Sequence, residues 1–140
     1  MNYVVDTNII LSALIKDSIT RKIIIESGLN FYYPKISFCE IQEHKSLVLK
    51  KSGMNEKKYN FILNKLFGNI VFVSEDKFKI FLNKADKLIG KIDADDVVFL
   101  ACALSLNSEI WSDDEHFQKQ SAIKVLKTQE FVKTFFKGSN

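Results

Sequence analysis

Short apolar segments alternate with longer segments of helical periodicity along the whole chain. The apolar segments have the length and character of buried strands. They cover residues 3–5, 30–33, 70–73, 109–112 and 123–126. Between them, apolar residues recur every three or four positions, as they do along one face of an α-helix. Because parallel strands need helical crossovers, this alternation predicts an α/β fold with a mostly parallel sheet of four to five strands.

Residues that typically start and stop helices bound the helical segments. Helices are predicted from Asn8, over residues 21–27, and between the pairs Ser37 and Gly53, Asn55 and Gly68, and Ser74 and Gly90. Residues 97–106 are apolar on almost every side, which predicts a buried helix, and Thr128 can cap a last helix through Phe136. The interior has no repeat and no linker composition, so residues 1–140 are predicted to form a single domain.

The composition restricts the class of protein. No apolar run approaches the roughly 18 residues that a membrane span needs, and the N-terminus has no secretory pattern. Cys39 and Cys102 stand alone in apolar helical patterns, so we expect both to be reduced core residues of a cytoplasmic protein. The two histidines, His44 and His116, are too few for a His/Cys zinc site.

Acidic side chains follow two of the predicted strands and open two of the predicted helices. Asp6 follows the first strand and Asp114 the fourth, at the edge where open parallel sheets bind ligands. Glu40 and Asp96 lie where helices that begin near that edge would present them. Gathered carboxylates repel one another, and a hard divalent cation such as Mg²⁺ removes the conflict by binding their oxygens. Two such ions can hold a phosphodiester, activate water and stabilise the leaving oxygen.

Each of these acids also has a purely structural explanation. Asp6 can cap the helix that follows it, and Ser37-x-x-Glu40 has the form of a capping box. Residues 93–96 and 113–115 can be solvated acidic loops at helix N-termini, where the helix dipole favours them. The pattern alone therefore leaves a metal site and a set of helix caps equally open.

The net charge of +3 is unevenly distributed if the acids gather. Setting aside the four acids above and Asp93 leaves 12 acidic residues against 20 basic ones. That balance suits a surface that holds a polyanion while cations neutralise the acidic pocket, although a generally lysine-rich composition explains it equally well. Lys16, Lys22 and Lys35 are candidate phosphate contacts, for which a solvated polar face is the simpler explanation.

Four motifs in the chain resemble those of the PIN-domain family. The segment Val4-Val5-Asp6-Thr7-Asn8-Ile9-Ile10 is similar to the opening motif of that family, and Glu40 fits the second acidic motif. Residues 92–104 resemble the third acidic motif, and residues 110–117 the fourth. The order and spacing match along essentially the whole chain. The resemblance implies an α/β/α sandwich and Mg²⁺- or Mn²⁺-dependent ribonuclease activity.

The same resemblance implies roles for individual residues. The catalytic metal ligands of the family map onto Asp6, Glu40, Asp96 and Asp114, with Asp93 as an accessory acid. Its supporting hydrogen-bonding groups map onto Thr7, Asn8 and Ser112. Glu43 lies one helical turn from Glu40 and can replace it. Asp95 and Asp113 adjoin the better-aligned acids and are easily confused with them.

The resemblance also implies partners. Many single-domain bacterial and archaeal members are VapC-like toxins that a small antitoxin neutralises, so an RNA substrate, an antitoxin and a homodimer are expected. A non-catalytic PIN fold that only binds RNA or protein is the main alternative, and the presence of all four motif acids argues against it. A phosphatase of the haloacid dehalogenase type would need a second Asp where this chain has Asn8. A receiver domain would need a nucleophilic Asp after a central strand, which Ser74-Glu75-Asp76 fits poorly.

Overall fold

All five strands of the structure lie in one parallel sheet. The computed structural model describes residues 1–89 and 94–135. The strands are β1 (Asn2–Val5), β2 (Asn30–Pro34), β3 (Ile70–Val73), β4 (Glu109–Trp111) and β5 (Val125–Leu126). Their order across the sheet is β3-β2-β1-β4-β5, and each neighbouring pair is parallel. The prediction of an α/β fold with a parallel sheet is therefore confirmed.

Helices connect the strands at nearly all the predicted places. They are α1 (Thr7–Ile15), α2 (Ile19–Glu26), α3 (Phe38–Glu43), α4 (Lys45–Ser52), α5 (Glu56–Phe67), α6 (Glu75–Phe78), α7 (Leu82–Ile89), α8 (Ala94–Leu106) and α9 (Thr128–Phe135). Short 3₁₀ turns occur at Lys35–Ser37, Lys79–Phe81 and Glu115–Lys119. No helix among the described residues is long and apolar enough to cross a membrane.

Two segments predicted as single helices are divided. The segment between Ser37 and Gly53 is interrupted at His44, which has φ −95° and ψ 4° and separates α3 from α4. The His44 ring nitrogen Nδ1 lies 2.7 Å from the carbonyl oxygen of Glu40, so the side chain binds the carbonyl one turn before it. The segment between Ser74 and Gly90 is divided into α6, a 3₁₀ turn and α7. Apolar periodicity does not reveal either break, because buried residues on both sides keep helical spacing.

Helices cover both faces of the sheet. Val4 and Val5 are adjacent in β1 and both are completely buried, although successive strand residues point to opposite faces. The central strand is therefore enclosed from both sides, as a three-layer α/β/α sandwich requires. On α8, residues 99–103 are all buried, which confirms the predicted buried helix. The helix begins at Ala94, so its first turn includes Asp96.

Of the two cysteines, only one occupies the core. Cys102 is buried in α8, and burial raises the pKa of its thiol to about 12, so the group stays protonated. The prediction that Cys39 is also a core residue is wrong, because this residue is exposed near the start of α3. Both thiols are free.

An aromatic cluster fastens the last helix to the sheet. The Phe131 ring of α9 lies 4.8 Å from the Tyr3 ring of β1 and 4.6 Å from the Trp111 ring of β4, measured between centroids. Trp111 also donates from Nε1 to Thr128 Oγ1 at 3.0 Å. Thr128 in turn donates from its backbone N–H and its hydroxyl to the carboxylate of Asp113, both at 2.8 Å. The carboxyl end of β4 and the start of α9 are thus fixed together.

We expect Phe131→Ala to lower the free energy of unfolding by about 3–5 kcal/mol, because Phe131 is completely buried and its removal leaves a cavity. Phe61→Ala is the matched control: the same truncation at a ring that is 66% exposed should cost less than about 1 kcal/mol. Chemical denaturation of both variants measures the difference. Equal losses would contradict the packing described for α9.

Candidate metal centre

A polar cleft of about 200 Å³ opens beside the carboxyl ends of β1 and β4. Its walls come from the starts of α1 and α8, from α3 and from the turn after β4. The lining residues are Asp6, Thr7, Asn8, Glu40, Glu43, His44, Asp95, Asp96, Phe99 and Asp114. The four acids predicted as metal ligands therefore share one cleft. Among the described residues that line it, none is a lysine or an arginine.

Asp6 stands where β1 ends and α1 begins. Its backbone N–H donates to the carbonyl of Trp111 at 3.2 Å, which extends the pairing of β1 with β4. Its Oδ1 accepts from Ile9 N at 3.0 Å, so Asp6 is the N-cap of α1. Its Oδ2 accepts from the hydroxyl of Ser112. The helix cap and the metal site, which the sequence left as alternatives, therefore involve the same carboxylate.

The charge on Asp6 is unfavourable in the protein alone. Asp6 is only 5% exposed, and burial is the main reason why its pKa is raised from 3.8 to about 6. The negative charges of Asp114 and Asp113 raise it as well. Hydrogen bonds from Ser112 and from the backbone of Ile9 act in the other direction without cancelling the effect of burial.

Glu40 is connected to the start of α1 through Thr7. The Thr7 hydroxyl donates to Glu40 Oε1 at 2.5 Å and lies 2.7 Å from the hydroxyl of Tyr33, which is 2.9 Å from the carbonyl of Ser37. Burial raises the pKa of Tyr33, so its hydroxyl stays protonated. The capping box suggested by the sequence does not form, because the Ser37 side chain makes no capping hydrogen bond. Glu43 lines the same cleft from an exposed position.

The opposite wall joins α8 to the turn after β4. Asp96 is 9% exposed, and its Oδ2 lies 3.1 Å from Nδ1 of His116. The same ring nitrogen is 3.4 Å from Oδ1 of Asp114. Asp114 is positioned by its backbone N–H, which donates to Ser112 Oγ at 3.0 Å, and its Oδ1 accepts from His116 N at 2.9 Å. One ligand atom each from Asp96, Asp114 and His116 lies within 4.8 Å of the others.

Sequence reasoning missed His116. Two histidines are too few for a zinc site made of histidine and cysteine, and the sequence motifs give no role to a single imidazole among carboxylates. The position of His116, two residues after Asp114, is the feature of the sequence that could have indicated this approach. A sharp turn after a strand can bring the side chain two residues later back towards Asp114.

Some of the other residues predicted to belong to the site line the cleft, and others lie away from it. Asp93 lies outside the described residues. Asn8 and Asp95 are exposed and line the cleft, whereas Asp113 is exposed and caps α9. Ser112 is completely buried behind Asp6 and Asp114. The lysines proposed as phosphate contacts, Lys16, Lys22 and Lys35, are absent from the lining of the cleft.

Comparison with known protein families decides the assignment. The family model for the PIN domain matches residues 4–134, which is nearly the whole chain. The chain belongs to the PIN-domain family. No curated protein matches the chain. The family predicted from the sequence motifs is thereby confirmed.

PIN domains are generally nucleases and typically use divalent metals. The donor set of this PIN domain fits such an ion, because carboxylate oxygens predominate and Asp6 is buried with a charge that the protein alone does not neutralise. An ion held by Asp6, Asp96 and Asp114 would compensate that charge. Glu40 lines the same cleft and offers a further oxygen ligand.

We expect the ionisation of Asp6 to lower the stability of the metal-free protein as the pH rises. Its pKa is about 6 when folded and near 3.8 when unfolded, so the folded state binds the proton more tightly. This contribution to stability is present below about pH 4 and is lost as the pH rises through 6. Between pH 4 and 7 in EDTA, the stability of Asp6→Asn relative to wild type should increase by about 2 kcal/mol.

Chemical denaturation across this pH range measures the change. Asp86→Asn, at an exposed position of α7, is the control and should show no such relative change. A pH-independent difference between wild type and Asp6→Asn would contradict the raised pKa. Saturating divalent cation should stabilise the wild type at neutral pH more than Asp6→Asn, which keeps Asp96 and Asp114 but lacks the buried charge of Asp6.

Proposed function

We propose that this PIN domain is a divalent-metal-dependent endoribonuclease that hydrolyses RNA phosphodiester bonds. The observation that supports this most strongly is the convergence of Asp6, Glu40, Asp96 and Asp114 on a cleft with no lysine or arginine among its described lining residues. Four carboxylates that share one small cleft are electrostatically costly and suit Mg²⁺ or Mn²⁺. Glu40 is preferred to Glu43 as a ligand because Thr7 orients it.

The residues of the chain position the carboxylates for this chemistry. Ser112 donates to Asp6 and accepts from the backbone of Asp114, so one hydroxyl fixes two of the four acids. Thr7 orients Glu40, and its hydroxyl is committed to that hydrogen bond. When bound, Mg²⁺ or Mn²⁺ would polarise the phosphate and activate water. The absence of lysine and arginine from the described lining leaves the neutralisation of phosphate charge to the cation.

The substrate and partners belong to the same proposal. The chain carries 20 basic and 17 acidic residues, and six of the acids line one cleft, so basic residues outnumber acidic ones elsewhere, which suits binding of a polyanion outside the cleft. RNA as the substrate, a homodimeric state and the role of toxin in a toxin–antitoxin pair are proposed from the family resemblance, and a cytoplasmic location is proposed from the two free cysteines. A non-catalytic binding module is the outcome expected if the acids prove dispensable.

We expect Asp96→Asn to reduce RNA cleavage by about 100-fold or more while the fold is retained, because the substitution is isosteric and removes one ligand charge. Asp113→Asn is the matched control, since Asp113 caps α9 and its side chain does not line the cleft. Cleavage of a mixed RNA pool in Mn²⁺ gives the rates, and circular dichroism reports the fold. A folded Asp96→Asn variant with wild-type activity would overturn the proposed mechanism.

The toxin role has a separate test. Induced expression of the wild type in bacteria should arrest growth with loss of cellular RNA, whereas Asp96→Asn should be tolerated at equal protein levels. Growth unaffected by an active, soluble enzyme would contradict the toxin role and leave the nuclease proposal intact.

Light scattering of the purified chain measures whether it is a dimer.

A further inference from the structure

His116 approaches the metal centre from the turn that follows β4. Its Nδ1 is 3.1 Å from Asp96 Oδ2 and 3.4 Å from Asp114 Oδ1. The family motif does not map a ligand onto this position, and the proposed function makes no use of it. A ring nitrogen aimed at two predicted metal ligands therefore needs its own explanation.

The backbone holds the imidazole in this place. His116 N donates to Asp114 Oδ1 at 2.9 Å within the 3₁₀ turn Glu115–Lys119. The next residue, Phe117, is 1% exposed and anchors the turn in the core. The position of His116 is consequently set by the turn and by a buried neighbour, and not only by its attraction to the two acids.

The distances around Nδ1 suit ligands of a single ion. Two ligand atoms that are each about 2.1 Å from a metal lie about 3.0 Å apart at a right angle and about 3.4 Å apart at the tetrahedral angle. The two distances from Nδ1, 3.1 and 3.4 Å, fall in this range. In the metal-free protein a proton on Nδ1 allows the hydrogen bond to Asp96. A neutral ring that keeps its proton on Nε2 instead presents the Nδ1 lone pair to a cation.

We propose that His116 is a ligand of the cation bound by Asp96 and Asp114, and that it makes this centre select a first-row transition ion over Mg²⁺. Mg²⁺ prefers oxygen ligands, whereas imidazole nitrogen strengthens the binding of transition ions. The inference rests on the metal centre of the proposed function. It concerns which ion the centre takes, and so it can fail while the nuclease proposal stands.

Calorimetric titrations with Co²⁺ and with Mg²⁺ test the proposal on wild type and His116→Asn. Asparagine can hydrogen-bond to the acids but offers no imidazole nitrogen. We expect His116→Asn to weaken Co²⁺ binding by about tenfold or more and Mg²⁺ binding by less than about threefold. Equal loss for both ions would show that His116 merely positions the acids, and unchanged Co²⁺ binding would exclude it as a ligand. Either result would overturn the inference and leave the metal centre in place.

A second measurement on the wild type does not depend on the folding of a variant. Nitrogen NMR of the two labelled histidines, with Zn²⁺ as a diamagnetic probe, should show one imidazole whose Nδ1 signal moves on metal binding. His44→Asn assigns the signals, since His44 has its Nδ1 2.7 Å from the Glu40 carbonyl and is expected to stay unshifted. A shift confined to His44 would overturn the inference. Failure of the wild type to bind any of the three ions would overturn this inference and the proposed function together.

Discussion

The hydroxyl of Ser112 connects the carboxyl ends of the two strands that flank the acidic cleft. It donates to Asp6 at the end of β1 and accepts from the backbone of Asp114 after β4, across a separation of 106 residues between Ser112 and Asp6. The strand pairing of Val5 with Trp111 brings these ends into register. Asp6 is the N-cap of α1, and Asp114 is the N-cap of the 3₁₀ turn that contains His116. The orientation of two walls of the cleft therefore depends on this one side chain.

The acidic cleft lowers the stability of the folded protein. Burial of the Asp6 carboxylate opposes its ionisation, and the nearby acids add to the effect. Packing in the core offsets this loss of stability, and the aromatic contacts of Tyr3, Trp111 and Phe131 are part of that packing. A buried charge whose cost is removed only by a ligand is typical of a functional site, because stability and activity often make opposite demands on the same residue.

Much of the fold and part of the site could be predicted from the sequence, for identifiable physical reasons. Strand positions follow from short apolar runs, and the carboxyl ends of parallel strands share an edge, which is enough to group Asp6 with Asp114. The sequence could not separate the cap of α1 from an acidic site, because the Asp6 carboxylate both caps the helix and lines the cleft. The motif favours Asp114 over its neighbour Asp113, but the reason why Asp113 is engaged elsewhere depends on where α9 lies.

The details that escaped prediction depend on side-chain contacts. The interruption of a predicted helix at His44 accompanies a hydrogen bond from its ring to a carbonyl of the preceding turn, which apolar periodicity does not encode. The approach of His116 to Asp96 requires the turn after β4 to meet the start of α8. Contacts between distant segments of this kind become visible only when the packing of the whole chain is known.

The strand order has a consequence for synthesis of the protein. The central strand β1 is made before its neighbour β4 and before the acids Asp96 and Asp114, which follow it far along the sequence. A nascent polypeptide that has exposed Asp6 and Glu40 still lacks the opposite wall of the cleft and the hydroxyl that orients Asp6. The site on the nascent chain therefore stays incomplete until β4 and the turn after it have been made, and a chain truncated before β4 cannot form it.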